Sequence, residues 1–277
     1  MSTLGVARRF VGKKALVTGA ATGIGKAIAC RLAGEGAAVA INFLGTPAEA
    51  ERALEEVRAA GGAAEVDPGL YMTVEADVAD EDAVKAMFQE VLGRWHGLDV
   101  LVNNAGVLTT SPSHRLAATD FDRTLAVNLR GAFLCAREAV TQFLAAGAGG
   151  AIVSISSVYQ TIPKPGYLGY AVSKSALEGL TKTLALEYAG DGIRVNAVGP
   201  GAIMTPMNAP LQNDPEARAD VESHIPLGRI AEPAEIAAVV AFLASEEASY
   251  VTGQTIYACG GLTIFPEHRE DWSSRRS

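Results

Sequence analysis

The residues best suited to chemistry lie between Ser157 and Lys174. Tyr170 and Lys174 are four positions apart, and Ser157 precedes Tyr170 by thirteen residues. On a helix, this spacing places the phenol and the ammonium on one face, about one turn apart. The ordinary pKa of a phenol is about 10, and a nearby cation favours the phenolate. Tyr170 is therefore a candidate general base near neutral pH.

Ser157 follows an apolar run at residues 151–155, which predicts a buried strand with the serine at its carboxyl end. There its hydroxyl is placed to orient a substrate oxygen towards Tyr170. The Tyr-x-x-x-Lys pattern alone also occurs on many solvent-exposed helices, so the elements around it must decide between a catalytic and a surface pair.

A glycine-rich turn follows the first predicted strand, residues 14–18, and leads directly into a helical pattern. Gly19, Gly23 and Gly25 are spaced as G-x-x-x-G-x-G. Strand, glycine turn and helix form the context of a dinucleotide fingerprint, in which the helix amino terminus binds a pyrophosphate. The turn therefore predicts a nicotinamide dinucleotide site.

The second predicted strand, residues 38–43, ends at Phe43, where NAD-selective folds carry a carboxylate. Nothing from 42 to 48 is charged, and Thr22 supplies no cation for a 2′-phosphate. We therefore predict use of NAD or NADP with weak discrimination. A slight preference for NADP is expected because Asn42 and Thr46 could donate hydrogen bonds to a phosphate.

Three polar residues follow or interrupt other apolar segments, and each has two interpretations. Asp77 closes the third strand and could accept from an adenine amino group, cap the helix beginning near Asp80, or do both. Asn104 lies in a tight turn after the fourth strand, either beside a flat ring or as a simple turn residue. Asn128 lies within a long apolar helix predicted from Thr119, as a structural hydrogen-bonding residue or as part of a proton relay.

Seven predicted strands alternate with helices along residues 1–277. This pattern predicts a single α/β domain, a Rossmann-like doubly wound seven-stranded parallel sheet with helices on both faces. The candidate residues follow strand carboxyl ends, where such sheets bind ligands. Residues 204–221 are expected to form a substrate lid, and residues 266–277 a polar tail.

Composition excludes several other classes of function. The chain has 277 residues and a formal net charge of -8, and it lacks a basic tract, so no nucleic-acid partner is expected. Its longest apolar run, residues 236–244, is too short to span a bilayer, and its first residues lack the apolar segment of a secretion signal. Three cysteines and four histidines are scattered without metal-ligand spacing, which predicts no metal site and reduced thiols in a cytoplasmic protein.

Taken in order, the motifs resemble those of the short-chain dehydrogenase/reductase family over nearly the whole chain. They are Thr18-Gly19, Gly23-Ile24-Gly25, Asn103-Asn104-Ala105-Gly106, Asn128, Ser157, Tyr170 with Lys174, and Pro200-Gly201. Within the family, residues 199–208, 219–228, 246–253 and 260–266 are most similar to bacterial glucose 1-dehydrogenases.

The resemblance implies a role for each matching residue. Tyr170 would be the base, Lys174 would lower its pKa and hold the nicotinamide ribose, Ser157 would bind the substrate oxygen, and Asn128 would hold a water. Gly19, Thr22 and Ile24 would surround the pyrophosphate, Asp77 and Val78 the adenine, Asn104 and Ala105 the adenine ribose, and Ile203 and Thr205 the carboxamide. The full set of expected cofactor contacts is Gly19, Thr22, Gly23, Ile24, Gly25, Phe43, Asp77, Val78, Asn104, Ala105, Gly106, Tyr170, Lys174, Pro200, Gly201, Ile203 and Thr205.

The chain departs from the glucose-enzyme pattern near the expected sugar. Leu108 replaces a usual Glu, Tyr159 a usual His, and Cys259 the usual Asp before the final Gly-Gly, while residues 67–69 form a short insertion. The resemblance implies hydride transfer to or from a sugar or a polyol. The alternatives are a 3-oxoacyl-carrier-protein reductase, which should carry basic residues near the lid, and a non-catalytic dinucleotide sensor, which should lack the catalytic residues.

Two long predicted helices, residues 119–146 and 171–188, carry apolar residues on more faces than a helix covering one sheet needs. The excess, together with the habit of the family, predicts a homotetramer.

Overall fold

A computed structural model of the chain describes residues 8–62, 64, 66–208 and 213–264. Its seven strands are β1 (Lys14–Val17), β2 (Ala38–Phe43), β3 (Tyr71–Glu75), β4 (Val100–Asn103), β5 (Gly150–Ile155), β6 (Ile193–Pro200) and β7 (Thr255–Ala258). They form one sheet in the order β3-β2-β1-β4-β5-β6-β7, and all neighbours pair in parallel. The predicted doubly wound parallel sheet is confirmed.

The helices in the described residues cover both faces of this sheet. They are α1 (Gly23–Gly34), α2 (Pro47–Gly62), α3 (Glu81–Trp95), α4 (Ala118–Leu125), α5 (Ala132–Ala146), α6 (Leu168–Tyr188), α7 (Pro215–Ser223) and α8 (Pro233–Ala244). Alternate strand residues serve opposite faces: Val17 packs in the core formed with α1, α2 and α8, and Leu16 in the core formed with α3 and α5. Because parallel strands share one direction, their carboxyl ends meet at a single edge.

The helix predicted from Thr119 to Ala146 is interrupted. α4 begins at Ala118, with Ala117 rather than Thr119 at the N-cap, and a π-helical segment, Ala126–Gly131, separates it from α5. Such segments are rare and occur frequently at functional sites. Asn128 lies within it, so the polar residue marks the place where the helix departs from regular geometry.

The predicted lid has more regular structure than its composition suggested. Asp214 caps α7, its carboxylate accepting from the backbone N–H of Ala217 at 2.9 Å, and Pro215 occupies the first helical position. Among the described residues of α7 none is buried. Residues 209–212 and the predicted tail at 266–277 lie outside the described residues.

Cys135 and Cys259 are buried, Cys30 is half-buried, and all three are free thiols. No helix among the described residues combines the length and apolar character needed to cross a membrane. The described part of the chain also contains no group of three or more His, Cys, Asp or Glu side chains arranged to hold a metal ion.

Candidate active site

The glycine turn between β1 and α1 brings the backbone close to the turn after β4. Gly19 and Gly23 have φ values of 60° and 57°, which favour glycine. A Cβ atom added to Gly19 would lie 2.8 Å from the Cα of Ala105, and one added to Gly25 would lie 2.4 Å from Nδ2 of Asn104. The spacing of the three glycines therefore reflects a backbone approach that side chains would prevent.

The amino terminus of α1 is open to an anion. Thr22 is the N-cap residue, but within the described residues its side chain makes no capping hydrogen bond, and the first turn contains no acidic residue. The first N–H groups of a helix have no intrahelical partners and lie at the positive end of its dipole. The turn and helix together fit the pyrophosphate of a dinucleotide.

Asn104 holds the two turns together. Its Nδ2 donates to the carbonyl oxygens of Thr18 and Gly19, each at 2.9 Å. The backbone N–H groups of Asn104 and Ala105 donate to Oγ1 of Thr18 at 3.0 and 3.1 Å. Asn104 is therefore more than a simple turn residue, because its side chain holds the backbone of the glycine turn in place by hydrogen bonds.

Asn42 does not face the position of a cofactor phosphate. It is 2% exposed, its Oδ1 accepts from the Gly19 N–H at 3.2 Å, and its Nδ2 donates to the carbonyls of Val74 and Ala76. Its hydrogen-bonding capacity serves the sheet and the glycine turn, so the expectation that it donates to a 2′-phosphate is wrong. Phe43, which ends β2, is also buried.

Asp77 does not cap α3, and that alternative is wrong. Asp80 is the N-cap residue and accepts from two backbone N–H groups of the first turn. One oxygen of Asp77 accepts from the Ala79 N–H at 2.9 Å, and the other pairs with Arg123 of α4 at 3.0 Å. The carboxylate is thus fixed at the carboxyl end of β3.

Ser157 and Tyr170 meet at the carboxyl end of β5. The Oγ of Ser157 accepts from the Tyr159 N–H at 3.2 Å. Burial raises the pKa of Tyr170 to about 12, and a hydrogen bond with Ser157 lowers it by less than burial raises it. The structure brings the serine hydroxyl and the phenol together, and it holds the phenol protonated at neutral pH.

Lys174 lies below Tyr170 on the same face of α6. Its Nζ donates to the carbonyl of Ile155 at 2.7 Å and lies 5.5 Å from the centroid of the Tyr170 ring. Burial lowers the pKa of Lys174 to about 8. The net pKa of Tyr170 is raised because burial has the largest effect, and the lowering by Lys174 expected from the sequence stays a prediction. Among the described residues the ammonium makes one hydrogen bond, so two of its hydrogens remain available.

Asn128 is a structural hydrogen-bonding residue. It exchanges two hydrogen bonds with the backbone of Val107, at 2.8 and 3.0 Å, and donates to Oγ of Ser173 at 3.0 Å. Both amide hydrogens are therefore used, and the π-helical segment is tied to the turn after β4 and to α6. A Cβ added to Gly106 would lie 3.4 Å from Oδ1 of Asn128 and 3.7 Å from Nζ of Lys174. The asparagine and the lysine thus border the same small space.

The residues after β6 lie at the same sheet edge and reach the glycine turn. Pro200 ends β6, and the Gly201 N–H donates to the carbonyl of Ala258 at 3.1 Å. Ile203 and Thr205 are buried, and Cγ2 of Thr205 lies 3.6 Å from where a Cβ of Gly23 would stand. The base of the predicted lid therefore contacts the predicted pyrophosphate site.

The last buried contacts of the site come from the ends of β3 and β7. Val78 is buried and packs on the π-helical segment, where a Cβ added to Gly131 would lie 2.8 Å from its Cγ2. Cys259 is buried behind Gly201, whose added Cβ would lie 2.9 Å from the Cα of Cys259. Cys259 therefore fills the position after β7 with an uncharged group.

Two features of the site are not predicted by the sequence: a pair of packed tyrosine rings and a lysine ammonium that contacts both of them. The ring centroids of Tyr159 and Tyr167 are 5.2 Å apart, and that of Tyr159 is 6.3 Å from Tyr170. The ammonium of Lys164 lies 4.6 Å from the centroid of Tyr167 and 5.8 Å from that of Tyr159. The available signal was a pair of tyrosines flanking the Pro-Lys-Pro-Gly run at 163–166.

Known proteins resemble this chain along almost its whole length. A family model described as Enoyl-(Acyl carrier protein) reductase matches residues 19–263. A glucose 1-dehydrogenase of Gluconobacter oxydans is 47% identical over 266 residues, which are 96% of this chain and 97% of the relative. A 3beta-hydroxysteroid dehydrogenase of Eggerthella lenta is 44% identical, covering 92% and 95%. A 3-oxoacyl-[acyl-carrier-protein] reductase of Staphylococcus aureus is 43% identical, covering 90% and 98%.

A solved structure with bound NADP shares the fold. It is that of a candidate 2-deoxy-d-gluconate 3-dehydrogenase from Agrobacterium tumefaciens, with a TM-score of 0.83 and 34% identity, covering 93% of this chain and 98% of the other. The sheet order, the open amino terminus of α1 and the meeting of Ser157, Tyr170 and Lys174 agree with these matches. The chain therefore belongs to the short-chain dehydrogenase/reductase family of oxidoreductases.

Proposed function

We propose that the protein is an NAD(P)-dependent dehydrogenase that oxidises an alcohol carbon of a sugar or a related polyol. The observation that carries the proposal is the position of the Lys174 ammonium, 5.5 Å from the centroid of the Tyr170 ring and hydrogen-bonded to the end of β5, just before Ser157. This group stands at the sheet edge that also carries the open glycine turn. The similarity to a glucose 1-dehydrogenase supports a sugar substrate.

We infer that the residues at this edge would hold the cofactor. The amino terminus of α1 would bind the pyrophosphate, Asp77 and Val78 would contact the adenine, and Asn104 with Ala105 would border the adenine ribose. The two available hydrogens of Lys174 would bind the nicotinamide ribose, and Ile203 with Thr205 would border the carboxamide. The nicotinamide supplies a hydride acceptor when bound.

The remaining chemistry belongs to the chain's own side chains. Ser157 would hydrogen-bond the substrate oxygen. Tyr170 would first release its own proton to solvent, with the Lys174 ammonium stabilising the phenolate, and the phenolate would then accept the proton of the substrate hydroxyl. Because the pKa of Tyr170 is raised to about 12, the phenol is also suited to donate a proton to a carbonyl oxygen in the reverse reaction. Asn128 would fix the turn at Val107 and the position of α6, with one acceptor site on Oδ1 left for a water.

The competing function is reduction of a 3-oxoacyl group on a carrier protein, supported by the similarity to the S. aureus reductase. A carrier protein is acidic and needs a basic surface. Residues 213–224 instead carry four carboxylates and one guanidinium, that of Arg218, which is itself paired with Glu222 at 2.9 Å. The charge of this segment disfavours an acidic protein partner. A spectrophotometric screen of aldoses, polyols, ketones and 3-oxoacyl thioesters with each cofactor tests the proposal, and activity confined to the thioesters would contradict it.

We expect turnover with both NAD and NADP and a slight preference for NADP. Thr46 is the residue that could donate a hydrogen bond to the 2′-phosphate, because the Asn42 amide already bonds Gly19, Val74 and Ala76. Position 43 carries Phe where NAD-selective folds carry a carboxylate, so the repulsion of a 2′-phosphate is absent and no attraction replaces it. The preference between NAD and NADP should therefore be about 1–2 kcal/mol, or roughly 5–30-fold in kcat/KM. Phe43→Asp should shift the ratio of kcat/KM values towards NAD, mainly by weakening NADP, whereas Phe43→Leu should leave the ratio near that of the wild type. A wild-type preference beyond about a thousandfold would mean that another residue reads the 2′ position.

The assembly is proposed to be a homotetramer located in the cytoplasm. The helices α5 and α6 expose large apolar side chains, among them Phe133, Leu144, Val172 and Leu186, the last 87% exposed. Burial of such a face against other subunits would remove it from water. Light scattering at micromolar concentration should give a mass four times the 28.7 kDa of one chain. A monomer mass under the same conditions would rule the assembly out.

A further inference from the structure

A wall of two aromatic rings stands beside the proposed base. Tyr159 and Tyr167 form this aromatic wall. Their ring centroids are 5.2 Å apart, and the planes of the two rings are tilted by 55°. Tyr159 meets Tyr170 edge-on, at 6.3 Å and 76°. A substrate held by the Tyr170 phenol therefore lies next to this wall. Aromatic faces pack well against apolar C–H surfaces, which sugars and polyols present on one side.

Lys164 supplies a positive charge on the same wall. Its ammonium lies over both rings, 4.6 Å from the Tyr167 centroid and 5.8 Å from that of Tyr159, which is the geometry of a cation–π contact. Burial lowers the pKa of Lys164, but attraction to the phenol oxygens outweighs it, so the pKa is raised. The ammonium therefore remains charged over the neutral range.

Lys164 has no carboxylate partner within ion-pair distance among the described residues. Other lysines do: Lys26 pairs with Glu56 at 2.7 Å, and Lys85 with Glu81 at 3.1 Å. A charged group that contacts aromatic rings without a counter-ion can pair with an anion brought by a ligand.

Three segments that border the site carry no carboxylate, whereas residues 213–224, in and just after the predicted lid, carry four. Residues 104–112, 156–167 and 201–208, which follow β4, β5 and β6, contain one charged residue between them, Lys164. Leu108 lies in the first of these loops, so no acid there repels an anionic substrate. The chain as a whole has a formal charge of -8, which makes this positive edge a local exception.

We propose that Lys164 is a specificity-determining residue that binds a carboxylate on the substrate. The substrate class is then a sugar acid, with its hydroxyl at Tyr170, its C–H face on the aromatic wall and its carboxylate at the ammonium. This inference rests on the proposed function and narrows it. One ammonium matches the single charge of a carboxylate, whereas phosphate is best recognised by an arginine fork.

The test compares an aldonate such as gluconate, the matching uncharged polyol, and the matching aldose phosphate. Each is measured with wild type, with Lys164→Gln, and with the control Lys182→Gln on the solvent side of α6. Wild type should favour the aldonate. Lys164→Gln should lower kcat/KM for the aldonate about tenfold, chiefly through KM, and change the polyol by less than about twofold. The preference for the aldonate should also weaken as salt is added to wild type.

Each other outcome contradicts the inference in an identifiable way. If the polyol is oxidised and Lys164→Gln affects charged and uncharged substrates alike, the carboxylate role is wrong and the dehydrogenase function stands. A preference for the aldose phosphate, or for an uncharged apolar alcohol, would also overturn it. If no alcohol or ketone is turned over, the proposed function fails, and the inference falls with it.

Discussion

Tyr170→Phe is expected to lower turnover by about 10³- to 10⁵-fold while the fold and cofactor binding are retained. The change removes one oxygen, and with it both the proton acceptor and a hydrogen-bonding partner of the substrate oxygen. General acid–base assistance is worth about 10²–10⁴, and a positioned hydrogen bond at the reacting oxygen contributes further. The measurement is single-turnover formation of the reduced nicotinamide, with a binding titration of the cofactor alongside.

The matched control is Tyr250→Phe, which removes the same oxygen from a fully exposed tyrosine. Its turnover should equal that of the wild type. If Tyr170→Phe kept more than about a tenth of wild-type turnover with chemistry rate-limiting, Tyr170 would not be the proton acceptor.

Lys174→Met should lower turnover by about 10²- to 10³-fold and raise KM for the cofactor. The variant keeps the length of the side chain but removes the charge that would stabilise the Tyr170 phenolate and the hydrogens that would bind the ribose. Because Lys174 acts when protonated and its pKa is lowered to about 8, wild-type kcat/KM for carbonyl reduction should fall as the pH rises through that value. The variant should lack this step in its pH profile.

Lys174→Met should leave the folded protein as stable as wild type or more stable. The pKa of Lys174 is lower in the folded chain than its ordinary value of 10.5, so the unfolded chain binds the proton more tightly between about pH 8 and 10.5. Wild-type stability should therefore rise with pH across that window, and at pH 7 the full cost of burying the ammonium is present. Lys174→Met removes this cost but leaves the Ile155 carbonyl without its donor, for a net change of about 0–2 kcal/mol at pH 7.

Urea unfolding of both proteins at pH 7 and pH 10 measures this effect. Lys182→Met, on the same helix but outside the site, should change neither turnover nor the pH dependence of stability. A large loss of stability in Lys174→Met together with normal turnover per folded molecule would show that the lysine is structural.

Most of the fold could be predicted because its signals are local. The apolar strand before Gly19, the glycine spacing and the run before Ser157 each specify one element from neighbouring residues. The parallel order follows from the alternation of strands and helices. Tyr170 and Lys174 were found because a helix fixes their relation within one turn.

The errors concern residues whose partners lie far away in sequence. Asn42 is buried, and its amide donates to the carbonyls of Val74 on the neighbouring strand β3 and of Ala76 just after it, thirty-two and thirty-four positions away. Asp77 pairs with Arg123, forty-six positions away. No local pattern contains this information, so the sequence suggests a cofactor phosphate as the partner of Asn42 and a helix cap as one role of Asp77.

Irregular elements were also missed. The π-helical segment has the same apolar pattern as the helices on either side of it, and the one warning was the polar Asn128. Helix α7 was hidden by its lack of an apolar stripe, although Asp214 before Pro215 is a helix-start signal. The contact between Lys164 and the aromatic wall depends on the path of a proline-rich loop, which spacing alone does not determine.

We infer that Tyr170, Ser157 and Lys174 assist direct hydride transfer from an alcohol carbon. Substrates that carry deuterium at the oxidised carbon, one aldose and one aldonate, test it most directly. Wild type is expected to place this deuterium on the nicotinamide ring of the product cofactor in one-to-one yield, and Tyr170→Phe to do so at least about a thousandfold more slowly. Deuterium that appears in solvent instead of on the cofactor, or equal rates of transfer in the two proteins, would contradict it.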